Sequence, residues 1–268
     1  MESYYYSIAS SSAGNCALYA QDGALLLIDL GVSLRALTRA LDQVGLTPGQ
    51  LTGVVLTHEH SDHVKGLEQF LKKTDVPVYA TIGTAAALTR GRALPRALRT
   101  FDTGDRVRVG ALTCESFATP HDAAQSVGYI VRGGERDLGF ATDLGRMTGD
   151  ILTALTGCET VVLESNHDRQ MLLAGRYPYS LKQRILGERG HLSNEECARA
   201  ACHLLRTGTR KVILAHLSQH NNTPIMAAET TLGRAAEEQL TVQYGREVRV
   251  APVQSAVTRY LVGEESPC

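Results

Sequence analysis

The segment HEHSDH, residues 58–63, constrains what this chain can fold into more than any other part of its sequence. It contains three histidines and an aspartate, and it follows a short apolar, β-branched run at residues 54–57. Clustered imidazoles and a carboxylate are costly to bury unless a partner neutralises and orients them, and a metal ion does both. At the end of a strand, His58 and His60 point to the same side because side chains alternate with a period of two. We therefore expect a buried strand that leads into a metal-binding turn.

A helix that begins within this segment would turn Asp62 and His63 toward the same cavity. The segment would then supply two pairs of ligands, enough to start two neighbouring metal sites. The alternative is a surface histidine cluster that binds metal only adventitiously. The ligand types, the strand-to-helix position and the following Gly66 favour the metal sites.

The composition indicates a globular protein in a reducing compartment. Of the 268 residues, 43% are hydrophobic and 21% are charged, and we expect one domain that spans residues 1–268. No apolar run approaches the roughly 18 residues of a membrane span, and the first residues, MESYYYSIAS, lack the pattern of a secretion signal. Six scattered cysteines without CxxC spacing favour reduced thiols. We therefore expect a cytoplasmic protein with no membrane partner, whose oligomeric state the sequence leaves open.

The net charge of −1 counts mildly against tight, non-specific binding of nucleic acid. Bound metal ions would add positive charge that this value omits. Four arginines lie close together in residues 90–99. This stretch is either a solvated loop or a rim that contacts phosphate groups near the site, and both interpretations stay open.

Hydrophobic periodicity and turn residues predict two strand-rich halves separated by helices. Predicted strands cover residues 4–8, 16–20, 24–29, 77–80, 105–109, 112–118, 127–132, 138–141, 160–163, 211–215, 247–251 and 257–262. Predicted helices cover residues 33–43, 64–71, 84–89, 147–155, 193–206 and 224–240, the fifth of which starts at a capping box. The candidate ligands stand at the ends of strands throughout.

The pattern H-x-H-x-D-H resembles the signature motif of the metallo-β-lactamase fold hydrolases. The resemblance covers about residues 4–262 and implies an α/β (α+β) fold, a four-layer αββα sandwich with the site along one edge. It also implies two divalent metal ions, zinc or manganese, which share a hydroxide that acts as the nucleophile. Asp143 would bridge the two ions. The implied metal ligands lie beside strand ends or turns and are His58, His60, Asp62, His63, His121, Asp143 and His216.

Three features favour phosphodiesters among the many substrates of this superfamily. Asp143, rather than a cysteine, lies at the bridging position, which favours hard oxygen ligands. His191, in the sequence GHLSN, resembles a histidine of the tRNA 3′-processing enzymes that contacts a phosphate and can protonate the leaving oxygen. The segment AHLSQHN, residues 215–221, resembles the last motif of those nucleases. The alternative for His191 is a surface histidine at the start of a helix.

The chain is similar to the small YycJ/WalJ-type nuclease branch, which implies a DNA exonuclease. The short spacing between Asp143 and His216 leaves no room for the inserted domain of the β-CASP nucleases. No Gly/Pro-rich arm for gripping tRNA is evident in the sequence, so DNA is favoured over RNA as the nucleic-acid substrate. The alternative is a small-molecule hydrolase that acts on cyclic or small phosphodiesters, or on a lactone or thioester.

The resemblance also suggests roles for individual residues outside the ligand set. Asp62 and His191 are the candidate catalytic residues. The loop at residues 10–15 is either a plain turn or, as its likeness to the S-G-N loop of nuclease members suggests, a binding loop for an anionic substrate. The candidate substrate contacts carry hydroxyl, amide or imidazole groups and are Ser11, Ser12, Asn15, His191 and Ser193.

Overall fold

The computed structural model describes residues 3–90, 93, 95–134, 136–252 and 257–262. The strands in this part of the chain are β1 (Ser3–Ser11), β2 (Gly14–Gln21), β3 (Ala24–Ile28), β4 (Gly53–Val55), β5 (Val78–Thr81), β6 (Leu98–Phe101), β7 (Arg106–Val109), β8 (Leu112–Ala118), β9 (Val127–Arg132), β10 (Leu138–Ala141), β11 (Thr160–Glu164), β12 (Lys211–Ala215), β13 (Val248–Val250) and β14 (Thr258–Val262). The α-helices are α1 (Leu34–Asp42), α2 (Ser61–Val64), α3 (Leu67–Lys73), α4 (Ile82–Thr89), α5 (Gly149–Leu155), α6 (Arg169–Ala174), α7 (Tyr179–Leu186), α8 (Asn194–Arg206) and α9 (Pro224–Glu237). A short 3-10 helix covers Pro48–Gln50.

The strands form two seven-stranded sheets with matching designs. The N-terminal sheet has the order β14-β1-β2-β3-β4-β5-β6, and the C-terminal sheet has the order β13-β12-β11-β10-β9-β8-β7. In each sheet, one side of the order is antiparallel and the other side is parallel. The last strand, β14, returns to pair with β1, with Ser3 opposite Val262.

Side-chain alternation places successive residues of one strand in different layers. In β3, Leu26 and Ile28 belong to the core between the sheets, whereas Leu27 belongs to the core under the helices. The inter-sheet core includes the large buried rings of Tyr5 and Tyr129. Successive side chains of a strand point to opposite faces of the sheet. Because Leu26 and Leu27 both lie in apolar cores, the sheet is buried on both faces. Helices cover the two outer faces, and the predicted four-layer αββα sandwich is confirmed.

The helix predicted at residues 64–71 is divided into α2 and α3. The break lies at Gly66, whose backbone N–H donates a 3.0 Å hydrogen bond to the carbonyl of Leu30. A Cβ at Gly66 would lie only 2.2 Å from the carbonyl oxygen of Val32, so the chains approach too closely for a larger residue. This contact fixes α2, which carries Asp62 and His63, against the end of β3.

The structure contains two α-helices and one strand that the sequence did not predict. Helices α6 and α7 were not predicted, and neither was β6, whose first two residues end the stretch 90–99 that was predicted as an arginine-rich loop or rim. Arg99 in β6 donates a 3.1 Å hydrogen bond from Nη1 to the hydroxyl of Tyr79. Gly91, Arg92 and Leu94 lie outside the described residues. The other elements match the predicted ones within a few residues.

No helix in the described ranges combines the length and the apolar character that crossing a bilayer requires. The five cysteines that the structure describes are buried and form no disulfide.

Candidate metal centre

The predicted ligands converge because they follow strands whose ends share one edge of the sandwich. His58 and His60 come after β4, Asp143 after β10 and His216 after β12. In the N-terminal sheet β4 runs parallel to β3, and in the C-terminal sheet β10 runs parallel to β11 and β12. Parallel neighbours end at the same edge, so the loops that follow them meet there. His121, which follows β8, joins the group from the antiparallel side of the C-terminal sheet.

Four overlapping groups of ligand atoms make up the cluster, and within each group all ligand atoms lie within 4.8 Å of one another. Three of these groups contain only predicted ligands, and the fourth contains Asp143, Glu164, His191 and His216. One group contains His58, His60 and His121, and a second contains Asp62, His63 and His216. The third, with His58, His63 and Asp143, overlaps both. Asp143 Oδ2 lies 3.3 Å from His63 Nε2, and its Oδ1 lies 3.7 Å from His121 Nε2. The structure thus brings all seven predicted ligands together, with Asp143 between the two outer groups.

Buried atoms without partners indicate what the cluster is built to hold. His58 Nε2, Asp143 Oδ2 and His216 Nε2 are buried, and the described residues supply no hydrogen bond to them. Buried polar atoms are normally hydrogen-bonded, so three exceptions in one place need an explanation. Imidazole nitrogens and a carboxylate oxygen are the donors that divalent zinc and manganese accept. The donor set therefore fits divalent metal ions.

Asp29, at the end of β3, holds the second-group histidine His63. Its Oδ2 accepts a 2.8 Å hydrogen bond from His63 Nδ1, and its Oδ1 accepts a 2.8 Å hydrogen bond from the backbone N–H of Thr57. The hydroxyl of Thr57 donates a further 2.8 Å hydrogen bond to Oδ2. Since an ionised carboxylate only accepts, the proton of His63 sits on Nδ1 and Nε2 faces the cluster. This is the usual way in which proteins orient a metal-binding histidine.

Glu164, at the end of β11, has the corresponding role in the C-terminal sheet and was not predicted. Its Oε1 accepts 2.8 Å hydrogen bonds from Nδ1 of both His216 and His191. Its Oε2 accepts hydrogen bonds from the backbone N–H groups of Leu144, at 2.6 Å, and Leu192, at 3.2 Å. One buried carboxylate therefore ties together the loops that carry Asp143, His191 and His216. The only local signal for it was an acidic residue at the end of a buried strand.

Two of the three first-group histidines, His58 and His121, are also held from outside the cluster. His121 Nδ1 donates a 3.1 Å hydrogen bond to the carbonyl of Gly190, which leaves Nε2 facing His60 Nδ1 at 3.2 Å. His58 Nδ1 lies 3.0 Å from the hydroxyl of Thr57, the residue that also contacts Asp29. Each of these contacts leaves one ring nitrogen turned toward the cluster.

Opposing charges set the protonation of the cluster in the metal-free chain. Burial alone would lower the pKa of His63, but the carboxylates of Asp143, Asp29 and Asp62 outweigh it and raise that pKa to about 9. Burial would raise the pKa of Asp143, yet the neighbouring histidines hold it below its ordinary value. Burial lowers the pKa of His58, and the neighbouring histidines, His63 first among them, lower it further. The carboxylates of Asp62 and Asp143 are therefore ionised, and His63 carries a second proton, on Nε2, that a metal would displace.

Three strand ends at this edge adopt the left-handed backbone conformation that side chains disfavour. The residues are Asp29, Asp143 and His216, with φ of 59°, 60° and 56°. Each costs on the order of 1–3 kcal/mol and persists only where the surroundings enforce it. Asp29 holds His63 from outside the cluster, and Asp143 and His216 are predicted ligands. The backbone strain is therefore concentrated on residues that build the cluster.

The loop at residues 10–15 lies against the second group of ligands. Asn15 Nδ2 lies 3.3 Å from Asp62 Oδ2 and 3.0 Å from His63 Nε2. Ser11 is buried, and its hydroxyl accepts a 3.3 Å hydrogen bond from the side chain of Gln219. Ser12 is exposed at the turn and makes no contact with the cluster among the described residues. The prediction omitted Ser10, whose hydroxyl accepts a 2.8 Å hydrogen bond from the backbone N–H of His216.

The two remaining predicted residues differ in what their side chains reach. His191 lies at the rim of the cluster, with its side chain 19% exposed and its ring centroid 5.3 Å from that of His216. Ser193 is the N-cap of α8, where its hydroxyl accepts a 3.3 Å hydrogen bond from the backbone N–H of Glu196. The Ser193 hydroxyl is therefore engaged in capping the start of α8, whereas His191 faces the site.

Comparisons with known proteins agree with this architecture. The sequence matches the family described as beta-lactamase superfamily domain over residues 25–217. The exodeoxyribonuclease YycJ of Bacillus anthracis is 38% identical over 222 residues, which cover 82% of this chain and 84% of that protein. The exodeoxyribonuclease WalJ of Streptococcus pneumoniae serotype 2 (strain D39 / NCTC 7466) is 32% identical over 242 residues, covering 89% and 90% of the two chains.

The fold is also that of a solved relative. The crystal structure of the metallo-β-lactamase fold protein YhfI from Bacillus subtilis superposes with a TM-score of 0.72, at 15% identity, over 96% of this chain and 99% of that one. At this identity the likeness concerns the fold. Taken with the family match and the two sequence relatives, it shows that the chain belongs to the metallo-β-lactamase fold branch of the β-lactamase superfamily.

Proposed function

We propose that this protein is a two-metal phosphodiesterase that degrades DNA as an exonuclease. The observation that carries the proposal is the double hydrogen bond of Glu164, which joins His216 inside the metal cluster to His191 at its rim. One carboxylate thereby couples a metal-binding side chain to a side chain available for proton transfer. Two relatives named exodeoxyribonucleases, each matched over more than four-fifths of both chains, support DNA as the substrate.

Two divalent ions, zinc or manganese, would be held by the seven clustered side chains. His58, His60 and His121 would hold the first ion, Asp62, His63 and His216 the second, and Asp143 would contact both. When bound, such ions lower the pKa of an attacking water and neutralise charge on the phosphate. Imidazole-rich donors suit zinc, and the two carboxylates also suit manganese.

Asp62 is the candidate acceptor for the proton of the attacking water. Its side chain is 24% exposed, and its Oδ2 lies 3.5 Å from His63 Nε2. Burial would raise the pKa of this carboxyl, but the adjacent His216 and His63 lower it below the ordinary value. Asp62 is therefore an ionised hydrogen-bond acceptor that still reaches the open side of the cluster.

His191 is the candidate donor of a proton to the leaving oxygen. Its Nδ1 is occupied by Glu164, so Nε2 is the nitrogen that can face substrate. The hydrogen bond to Glu164 Oε1, at 2.8 Å, holds the His191 ring at the rim of the cluster. As the new P–O bond forms and the old one breaks, the leaving oxygen would take the proton from Nε2, and Glu164 would stay ionised.

Metal analysis and one substrate panel test this proposal. We expect two divalent ions per chain, and degradation of end-labelled linear DNA with intact circular DNA. We also expect turnover of bis-p-nitrophenyl phosphate and none of a simple lactone. One ion with no second on titration would exclude the two-metal site. Nicking of circular DNA would exclude a strict exonuclease, and turnover of the lactone alone would exclude a phosphodiesterase.

A further inference from the structure

Residues 169–190, which we name the basic segment, carry a net positive charge beside the candidate metal centre. The segment contains α6 and α7 and ends directly before His191. It has five basic residues and one acidic residue, a net charge of +4 in a chain whose net charge is −1. Positive charge is therefore concentrated here, although the protein as a whole is slightly acidic.

The basic segment lies against ligand-bearing loops on both sides of the cluster. On one side, Arg184 donates to both carboxylate oxygens of Asp122, at 2.5 and 3.1 Å, next to His121. Arg189 donates to the backbone carbonyl of His121 at 2.9 and 2.7 Å. On the other side, the Tyr177 ring packs edge-on at 5.9 Å against that of His220, in the loop after His216. The segment thus borders the opening of the site.

Two arginines and a tyrosine of this segment are not used in holding it in place. Arg169 and Arg176 are exposed, and within the described residues neither makes a hydrogen bond or an ion pair. The ring of Tyr179 is 76% exposed. By contrast, Arg184 and Arg189 are fully engaged with the His121 loop. Exposed guanidinium groups and an exposed aromatic ring on one segment are the combination by which proteins hold single-stranded nucleic acid.

We propose that the basic segment binds single-stranded DNA and guides its end into the site. Arg169 and Arg176 contact phosphates, and Tyr179 stacks on an unpaired base. A ring can stack on a base only where the strand is unpaired, so the surface selects single strands over duplex. The net charge of −1 argues against a broad electrostatic field and for local contacts. This inference rests on the proposed nuclease function, which supplies DNA as the polymer.

Binding measurements on matched variants test the surface. The test variants are Arg169→Ala/Arg176→Ala and Tyr179→Ala, and the controls are Arg35→Ala, an exposed arginine on α1, and Tyr244→Ala, a tyrosine that is 60% exposed. Each is made in an Asp62→Asn background to prevent cleavage. Fluorescence anisotropy with a labelled single-stranded oligodeoxynucleotide then gives affinity across a salt series, and thermal melting verifies folding.

The arginine variant should reduce the slope of log affinity against log salt by about 1.4, since each phosphate contact on a single strand contributes about 0.7. Tyr179→Ala should weaken binding by about 5- to 100-fold, the range for loss of one stacked base. The two control variants should bind as the parent does. Unchanged slope and affinity in the test variants, or equal losses in the controls, would overturn the proposal, as would duplex bound more tightly than single strands.

Kinetics in the otherwise unchanged protein separate this inference from the function on which it rests. For the test variants, kcat/KM on single-stranded DNA divided by kcat/KM on bis-p-nitrophenyl phosphate should fall at least about tenfold, through KM. A parallel fall on both substrates would overturn the binding surface. Failure of the unaltered protein to cleave any DNA would instead overturn the nuclease function. Tighter binding of an oligoribonucleotide of the same sequence would assign the surface to RNA.

Discussion

Two buried carboxylates, one at the edge of each sheet, orient histidines of the candidate metal cluster, but they differ in the side chains to which they hydrogen-bond. Asp29 of the N-terminal sheet contacts one predicted ligand, His63, and otherwise bonds to Thr57 beside it. Glu164 of the C-terminal sheet contacts His216 and also His191, which is outside the predicted ligand set. In both sheets a carboxylate at a strand end holds a predicted metal ligand. Only Glu164, in the C-terminal sheet, also holds a side chain outside the predicted ligand set.

This difference separates two functions that a buried carboxylate can perform. Asp29 fixes the tautomer and direction of His63, a predicted metal ligand, and its effect should end there. Glu164 does the same for His216 and in addition holds the candidate acid. Substitutions at the two positions should therefore differ in size, in metal dependence and in substrate dependence.

The largest effect is expected for Glu164→Gln. Loss of an outer carboxylate typically costs 10- to 100-fold in metal affinity or activity, and loss of a positioned acid costs about 100-fold or more. Together they should lower kcat on DNA by about 1,000-fold, with only partial recovery in excess metal. Glu229→Gln, an exposed glutamate on α9, is the matched control. Retention of a tenth of the activity would show that Glu164 does not couple the two histidines.

His191→Ala should remove only the second of these two functions. We expect kcat on DNA to fall by about 100-fold, because a leaving alkoxide needs a proton. A p-nitrophenolate leaves without one, so the loss on DNA should exceed the loss on bis-p-nitrophenyl phosphate by most of that factor. Maximal rates with saturating substrate and metal measure this difference. Equal losses on both substrates would indicate damage to the metal centre instead.

Asp29→Asn should have a smaller effect that depends on metal concentration. Weaker orientation of His63 should reduce affinity for the second ion by about 10- to 100-fold. Turnover of both substrates should fall in parallel and recover when metal is added in excess. Asp42→Asn, an exposed aspartate at the end of α1, is the control. Unequal losses on the two substrates would contradict a purely orienting role for Asp29.

The smallest effect concerns protons released on metal binding. The pKa of His63, raised to about 9 in the metal-free chain, means that this ring is protonated at pH 7.5 and must lose its proton to become a ligand. Calorimetry in buffers of different ionisation enthalpy should detect at least about one proton released per chain. The release should decline as the pH rises through 9, and it should be smaller in Asp29→Asn, which lacks one of the carboxylates that raise this pKa. No release at pH 7.5 would refute the assigned charge.

The cluster itself was predictable because short sequence patterns identify its predicted ligands. His58, His60, Asp62 and His63 form one short motif, and His121, Asp143 and His216 follow recognisable strands. Glu164 was not predictable in this way. Its partners His191 and His216 lie 27 and 52 positions along the chain, and no local pattern reports which strands become neighbours. The role of Glu164 can be assigned only when the order of the strands in the sheet is known.

The same limit applies to the elements that the sequence did not predict. Helices α6 and α7 each bury a single apolar side chain, Leu172 and Ile185, so neither shows a periodic apolar stripe. The division of the helix at residues 64–71 follows from the contact of Gly66 with Leu30, which belongs to a distant strand end. Strong periodicity predicted the layers of the sandwich, and contacts between distant residues determined the rest.

The pairing of β14 with β1 has a consequence for biosynthesis. The edge of β1 that pairs Ser3 with Val262 emerges from the ribosome first, but its partner emerges last among the described strands. Throughout synthesis, this edge presents unpaired backbone groups to other nascent chains, the arrangement most prone to edge-to-edge association. The N-terminal sheet can therefore close only after translation has passed the whole metal centre. The dependence of expression on chaperones should therefore increase when β14 is deleted or delayed, and it should not change with the supply of metal.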